Sequence, residues 1–267
     1  MPGAYIFVSP FATGDTSLPV PKRDALLNGD NNGVRFLFDL GFGYCYPGGP
    51  LVGRGAPGNP GNGATIYDVA ERGNGVVRIT DTAALTYAGG GIDLSAINTN
   101  AEQDTGVAGP ASALADIWTA VGGKSQIFLI CGYFKLPSTA DWNVSGALSS
   151  IFSACASGGG YASAADILNV AMSNGSPYRV GSRRQTAVGS HEGERLIQPV
   201  AGDYGSVVQI AYWRNDAGTG LTLRSANGRV TTTAVKGADN SANFSALTPL
   251  WGAAKPFTSP GSDPSMF

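Results

Sequence analysis

The side chains best suited to acid–base chemistry lie in one short segment, residues 189–195, with the sequence Gly-Ser-His-Glu-Gly-Glu-Arg. Glu192 and Glu194 are two residues apart and follow His191, the one histidine of the chain. In an extended strand, residues i and i+2 project from the same face, and glycosidases use such paired carboxylates on one glycosidic bond. The two glycines of the segment instead favour a solvated polar loop. We therefore predict that residues 189–195 form a solvated loop rather than an acid–base site.

Other catalytic constellations are absent from the sequence. A single histidine cannot build a His-rich zinc site, and the chain has no Cys-x-x-Cys pair. A serine hydrolase would need His191 as its base, yet no Gly-x-Ser-x-Gly nucleophile elbow is present. We therefore predict a protein that is not an enzyme, with no catalytic residue and no cofactor apart from the calcium ion considered below.

The composition favours an all-β domain made of many short strands. Charged residues are only 13% of the 267 residues, whereas 39 residues are glycine, a balance that suits strands and turns better than helical bundles. The net charge is −2, and the basic cluster Arg179, Arg183 and Arg184 is too small for a nucleic-acid-binding stripe. No apolar run reaches the roughly 18 residues of a membrane span, and the first ten residues lack the pattern of a secretory signal. We predict no nucleic-acid partner, no membrane span and synthesis in a cytoplasm.

The three cysteines, Cys45, Cys131 and Cys155, are widely spaced and odd in number. This pattern is typical of buried small hydrophobic residues rather than of a disulfide framework. We predict buried thiols, and the sequence leaves open whether one pair is bridged.

Two apolar runs predict the central strands of a β-sandwich, residues 126–137 and 206–214. Both are short and rich in aromatic and β-branched residues, as buried strands are. In the first run, Tyr133 and Lys135 alternate with Phe134, and Pro137 ends the ladder because it has no N–H to donate.

Turn and helix signals complete the pattern. Asn227 and Gly228 form the residue pair that two-residue hairpins prefer, because both tolerate positive φ, and they separate two strand-like segments. Residues 111–121 are the best helix candidate, since apolar residues recur there at helical spacing after Pro110. We expect at most this one short helix.

The chain divides into three predicted regions. Residues 1–63 contain the Gly/Pro-rich stretch 47–63 and have the character of an extended arm and linker. Residues 64–252 form the β-sandwich domain, and residues 253–267 form an exposed, turn-rich tail. The aromatic residues of the arm are predicted assembly contacts, on this domain or on a neighbour: Tyr5, Phe7, Phe36, Phe38, Phe42 and Tyr44.

The order of the strand-like segments resembles the concanavalin A-like (laminin-G-like) jelly-roll domains. The segments that carry the resemblance are 90–94, 128–135, 151–153, 168–170, 207–213 and 221–228, within residues 64–252. The resemblance implies an antiparallel jelly-roll β-sandwich and says more about fold than about function. The last strand of such domains is not obvious after residues 250–252, so we expect the N-terminal part to supply it.

The same resemblance implies candidate ligand sites. Such domains often bind Ca²⁺ through loop Asp and Asn oxygens, here Asp203, Asp216 and Asp239 with Asn240, although Asp is also favoured in turns without any metal. They also commonly bind glycans, for which the candidate stacking residues are Trp142, Tyr161, Tyr178 and Trp251. A place in the core or in an interface is the alternative for each of these aromatic residues.

Two functions follow from different classes. The first is a structural protein of a virus particle, a bacteriophage capsid decoration or tail-associated protein, whose partners are other virion proteins and copies of itself in a homo-oligomer. The second is a lectin-like carbohydrate-binding module that acts as an adhesin on cell-surface glycans. Deletion of residues 1–63 separates them, because only the assembly function needs the arm.

Overall fold

The computed structural model describes residues 34–42, 45–46, 58–79, 85–94, 105–110, 112–115, 127–139, 149–155, 167–173, 177–187, 190–215, 218–235, 245 and 247–253. The chain divides into two compact units, residues 1–34 and 35–267. The description below concerns the second unit. The predicted tail beyond residue 253 lies outside the described residues.

The described part contains fourteen strands and one short helix. The strands are β1 (Thr65–Ile66), β2 (Gly75–Arg78), β3 (Thr86–Ala88), β4 (Gly91–Asp93), β5 (Thr105–Ala108), β6 (Phe128–Lys135), β7 (Ser149–Cys155), β8 (Ile167–Ser173), β9 (Arg179–Ala187), β10 (Ser190–Ile197), β11 (Val207–Asn215), β12 (Gly218–Arg224), β13 (Val230–Val235) and β14 (Leu250–Ala253). The helix α1 covers Ser112–Ala115, so the described part of the predicted helix 111–121 is one turn. No helix among the described residues has the length and apolar character needed to cross a membrane.

Two antiparallel sheets form the sandwich. The larger sheet has eight strands in the order β1-β2-β5-β14-β7-β8-β9-β10, and the smaller has four in the order β13-β12-β11-β6. The hairpin β3-β4 stands apart as a two-stranded sheet. Every pairing in the larger and smaller sheets is antiparallel. The predicted all-β, antiparallel sandwich is confirmed.

The main hydrophobic core lies between the two sheets. The smaller sheet buries one face of each strand, as the alternating burial along β6 and β11 shows. Phe128 and Tyr212 meet edge to face in this core, with ring centroids 5.1 Å apart. The larger sheet contributes aliphatic residues and Phe152 to the same core. Burial of these side chains is the dominant stabilisation of the fold.

A second core lies under the β3-β4 hairpin. Cys45, Tyr46 and Tyr87 are buried there with Val77, and burial raises the pKa of the Cys45 thiol to about 11. Tyr46 and Tyr87 contact each other with ring centroids 5.0 Å apart. Residues 35–46, which the sequence assigned to an arm, therefore include side chains that pack inside the compact unit.

A strand supplied by the N-terminal part stays a prediction, because residues 1–33 lie outside the described residues. The last described strand along the chain is β14. It lies in the middle of the larger sheet, where it pairs with β5 on one side and β7 on the other. Gly252 lies directly opposite Gly106, and an added Cβ on Gly252 would come within 2.3 Å of the Thr105 carbonyl oxygen. Glycine is required here because the two backbones approach too closely for a side chain.

Four local expectations were wrong. β6 lies at an edge of the smaller sheet rather than at its centre, and Cys131 on it is exposed rather than buried. Where it is described, the polar segment is not a loop, because residues 190–195 belong to β10, with the register shifted between Glu192 and Arg195. The Asn227–Gly228 turn has a three-residue loop rather than two, because Ser225 N donates to Arg229 O and only Gly228 has positive φ.

Candidate functional site

The outer face of the smaller sheet, called the outer face below, is the most distinctive surface of the described residues. Its side chains stand in rows that cross the strands β6, β11, β12 and β13 in that order: Leu129, Trp213, Gly220 and Ala234; Cys131, Ala211, Thr222 and Thr232; Tyr133, Gln209, Arg224 and Val230; and Lys135 with Val207. These are the alternate residues that each strand turns away from the core. The strands thus hold aromatic, amide and cationic groups side by side.

Trp213 forms a flat platform in this face. The position opposite it is Gly220, and a Cβ there would lie 2.2 Å from Cζ2 of the indole. The ring therefore lies against the bare backbone of β12. Its Nε1 donates a 3.1 Å hydrogen bond to Thr222 Oγ1, and Thr222 shares a 3.0 Å hydrogen bond with Thr232. The indole is fixed from below and at its edge, while the side chain remains half-buried.

Tyr133 and Gln209 form the second part of the face. Tyr133 is 74% exposed, which is unusual for an aromatic ring in the middle of a strand. Gln209 lies opposite Tyr133 in the register and directs its Nε2 towards the Tyr133 hydroxyl at 3.4 Å and the Cys131 sulfur at 3.2 Å. These contacts orient the amide group across the sheet surface.

The rest of the outer face is apolar or cationic. Leu129, Val207 and Val230 are 66%, 52% and 58% exposed, and Arg224 and Lys135 are exposed as well. None of the described residues in the four rows is Asp, Glu or His. The face can therefore stack on, contact and donate hydrogen bonds to a ligand, but its described rows offer no carboxylate or imidazole for proton transfer.

Asp203, a predicted calcium ligand, anchors the β12–β13 turn. Its carboxylate is fully buried and accepts hydrogen bonds from Val200 N at 2.9 Å, from the Ser225 hydroxyl and from Arg229 at 2.5 Å. Burial alone would raise the pKa of Asp203, but the hydrogen bonds from Ser225, Val200 and Arg229, with the charge of Arg229, outweigh it and lower the pKa. The structure thus shows this carboxylate engaged by a guanidinium and two neutral donors.

The other predicted calcium ligands, Asp216 and Asp239 with Asn240, lie outside the described residues. Within the described ranges, no group of three or more His, Cys, Asp and Glu side chains could hold a metal ion. The calcium site stays a prediction.

The predicted glycan-stacking residues lie away from the outer face where they are described. Trp251 is half-buried in an aromatic cluster, with its ring centroid 5.1 Å from those of Phe36 and Phe152. Tyr178 is half-buried against the main core, 6.3 Å from Tyr204. Trp142 and Tyr161 lie outside the described residues. A glycan role for these four residues stays a prediction.

Of the six predicted arm residues, three lie in the described part of the chain and three do not. Phe36 and Phe38 lie in the Trp251 cluster of their own chain, with centroid distances to Trp251 of 5.1 and 6.3 Å. Phe42 is 51% exposed. Tyr5, Phe7 and Tyr44 lie outside the described residues.

The acidic pair lies on the edge strand of the larger sheet. Glu192 pairs with Arg184 and Arg195 with Ser182, so Gly193 and Glu194 fall in the irregular stretch between them. This irregularity is a β-bulge, in which two residues of β10 lie opposite one residue of β9.

Fold and site together define an antiparallel β-sandwich with an aromatic and polar sheet face. No protein-family model matches the sequence, and no match was found among curated proteins. Three solved structures are similar at low sequence identity. The CBM40 domain of a Ruminococcus gnavus sialidase, bound to α2,6 sialyllactose, is 14% identical over 51% of this chain and 72% of its own, with a TM-score of 0.33.

The other two are tailspike structures. The enzymatically active domain of tailspike protein 2 from bacteriophage CBA120 is 14% identical, with 49% of this chain and 21% of its own covered and a TM-score of 0.33. The full-length tailspike protein 2 from an Escherichia coli O157:H7 bacteriophage is 13% identical, with 68% and 21% covered and a TM-score of 0.37. This chain thus aligns with about a fifth of each tailspike chain.

Proposed function

We propose that this domain is a non-catalytic carbohydrate-binding module and that it binds sugars on the outer face. The single observation that carries the proposal is the fixed indole of Trp213, which lies flat on Gly220 and is hydrogen-bonded to Thr222. A ring held in this way loses little conformational freedom when a ligand stacks on it, so less of the binding free energy is lost to ordering.

The neighbouring groups match the chemistry of a sugar. The C–H face of a pyranose ring stacks on an aromatic face, and its hydroxyls need donors and acceptors at the periphery. Tyr133, Gln209 and Arg224 stand in one row on three adjacent strands, which places them along a line of about 10 Å. The amide of Gln209 offers both donors and an acceptor, and Arg224 offers only donors.

The absence of catalysis is part of the proposal. Glycoside hydrolysis needs two carboxyl groups on either side of the scissile bond, and the described rows of the outer face contain none. The module would bind a glycan and leave it intact, as an adhesin does.

Binding is tested with a glycan array followed by titration calorimetry on the best ligand. Tyr133→Ala and Trp213→Ala should each weaken binding about tenfold or more, since aromatic anchors in a binding site commonly contribute 1.4 kcal/mol or more. Phe42→Ala is the matched control, because Phe42 is an exposed aromatic residue outside the outer face. The proposal fails if the wild-type protein binds no glycan, or if both outer-face variants bind as tightly as the control.

The sequence-based prediction that this module belongs to a bacteriophage particle, with other virion proteins as its partners, stays a prediction. Quantitative mass spectrometry of purified particles tests it through the copy number of the chain relative to the major capsid protein. Hundreds of copies would indicate a decoration role and a few tens a tail component. No copies would exclude the virion.

A further inference from the structure

Among the described strands, β6 forms one edge of the smaller sheet and carries apolar residues of the outer face. β6 pairs with β11 on one side, and among the described strands none pairs with its other side. Leu136 N donates to Ser206 O on the β11 side. Because antiparallel strands direct alternate residues to opposite edges, the N–H and C=O groups of Leu129, Cys131, Tyr133 and Lys135 point to the open side.

The sequence and register of β6 itself lack the features that usually protect an edge against strand pairing. Proteins protect exposed edges with inward-pointing charges, proline, bulges or very short strands. β6 is eight residues long with an unbroken register to β11. Its only charged residue is Lys135 at its last position, and the first proline, Pro137, lies beyond it.

We propose that β6 pairs antiparallel with β6 of a second copy of this chain, about a two-fold axis that passes beside Cys131. An antiparallel edge is complementary to itself, and two-fold dimers bury the same patch on both subunits. Residues that face each other across a continuous sheet must lie on the same face. A two-fold axis beside Cys131 meets this condition and forms about six backbone hydrogen bonds within the two strands.

The side chains favour this register. It places Leu129 against the partner's Tyr133 twice, and both residues are now largely exposed. Aromatic and aliphatic residues directly opposite each other are favourable cross-strand pairs. On the inner face the same register sets Phe128 against the partner's Phe134, which extends the core side of the sheet. The two Lys135 side chains lie at opposite ends of the pairing and do not face each other.

The dimer would join two outer faces into one eight-stranded surface. Each Trp213 platform is one strand away from β6, so both would lie on the same side of the joined sheet. The inference does not depend on sugar binding, because the pairing rests on the backbone edge of β6. Tyr133 is shared by the two proposals, whereas Trp213, Gln209 and Arg224 lie on β11 and β12, away from the paired edge.

The oligomeric state of the full chain tests the proposal, by size-exclusion chromatography with light scattering across a wide range of protein concentration. The wild type should be a dimer, and Cys131→Lys should weaken dimerisation about a hundredfold or more, because two like charges would face each other at the axis. Ala234→Lys is the matched control: it adds the same charge on the same face, at the other edge strand of the sheet. A wild type that stays monomeric, or a Cys131→Lys variant that dimerises as the control does, would overturn the proposal.

A second variant and a cross-link test the strand pairing without the added charge of Cys131→Lys. Cys131→Pro removes one N–H on the open side and leaves the β11 ladder intact, as prolines on edge strands do, so it should also dissociate the dimer while circular dichroism stays unchanged. Oxidised glutathione should convert two Cys131 thiols into one intermolecular disulfide, with glutathione reduced to two thiols. Peptide mapping that finds a dimer cross-linked only through other cysteines would refute the register.

Discussion

Replacing Asp203 by alanine should destabilise the domain, because this side chain joins two loops at one end of the smaller sheet. The carboxylate accepts from Val200 N in its own loop and from Ser225 and Arg229 at the β12–β13 turn. The variant would leave the guanidinium without its 2.5 Å partner and two neutral donors without an acceptor. All three groups would lose their partner at a position that is fully buried in the wild type.

The magnitude follows from the exposure of the two partners. Removing one member of a fully buried ion pair costs about 3–5 kcal/mol. The Arg229 side chain is 32% exposed, so water can solvate part of its charge in the variant, which reduces the loss. We expect Asp203→Ala to lower the free energy of unfolding by about 2–3 kcal/mol, the range for losing hydrogen bonds to a charged group.

The pH dependence has a definite sign. The folded state lowers the pKa of Asp203, so its contribution to stability is complete above the unfolded pKa of about 3.9 and is lost as the pH falls through the lower, folded value. The difference in unfolding free energy between wild type and Asp203→Ala should therefore be constant near neutral pH and should shrink below about pH 4.

Urea denaturation at neutral and acidic pH measures both effects, with intrinsic tryptophan fluorescence as the signal. A double-mutant cycle with Arg229→Ala isolates the ion pair from the hydrogen bonds to Val200 and Ser225. A loss well under 1 kcal/mol at pH 7, or a difference that grows as the pH falls, would refute the argument that this carboxylate is a buried and satisfied anchor.

Two further predictions concern the backbone. Gly252→Ala should lower the free energy of unfolding by more than about 2 kcal/mol, because the φ of Gly252 is +138° and the added Cβ would lie 2.3 Å from the Thr105 carbonyl oxygen. The control is Gly61→Ala, where an added Cβ meets nothing within 4 Å. Equal thermal unfolding midpoints for the two variants would contradict the argument that the backbones at Gly252 are too close for a side chain. Asp68→Ala should cost about 2–4 kcal/mol, since its buried carboxylate accepts four backbone N–H groups, one of them from Leu37 at 2.7 Å. Hydrogen exchange should then show faster exchange at Leu37, and unchanged protection there would argue against the tether.

The elements that could be predicted from the sequence are those with a local signal. The apolar runs give β6 and β11, and the alternation of Tyr133 with Phe134 separates the two faces of β6 correctly. The same run predicts a buried, central strand because its outer residues, Leu129 among them, are as apolar as its inner ones. Periodicity alone cannot distinguish a buried strand from one that exposes an apolar face.

The candidate site depends on pairings that no local pattern contains. Trp213 is a platform only because Gly220 lies opposite it and Thr222 accepts its N–H. The hydrogen bond to Thr222 cannot be read from the sequence. The pairing of Trp213 with Gly220 follows from residue spacing only once β11 and β12 are known to form a hairpin in which Asn215 pairs with Gly218. The position of β14 between β5 and β7 has no local signal.

The position of β14 also has a consequence for how the protein folds. β5 and β7 are made early, but the strand that joins them ends at Ala253, 148 residues after β5 begins. Until that strand is synthesised, the larger sheet cannot close, and the edges of β5 and β7 can pair with other chains. Such long-range pairing slows folding and extends the time in which aggregation competes with it. We therefore expect the yield of native protein to fall sharply when synthesis stops before residue 250, even though both strands flanking the gap are already present.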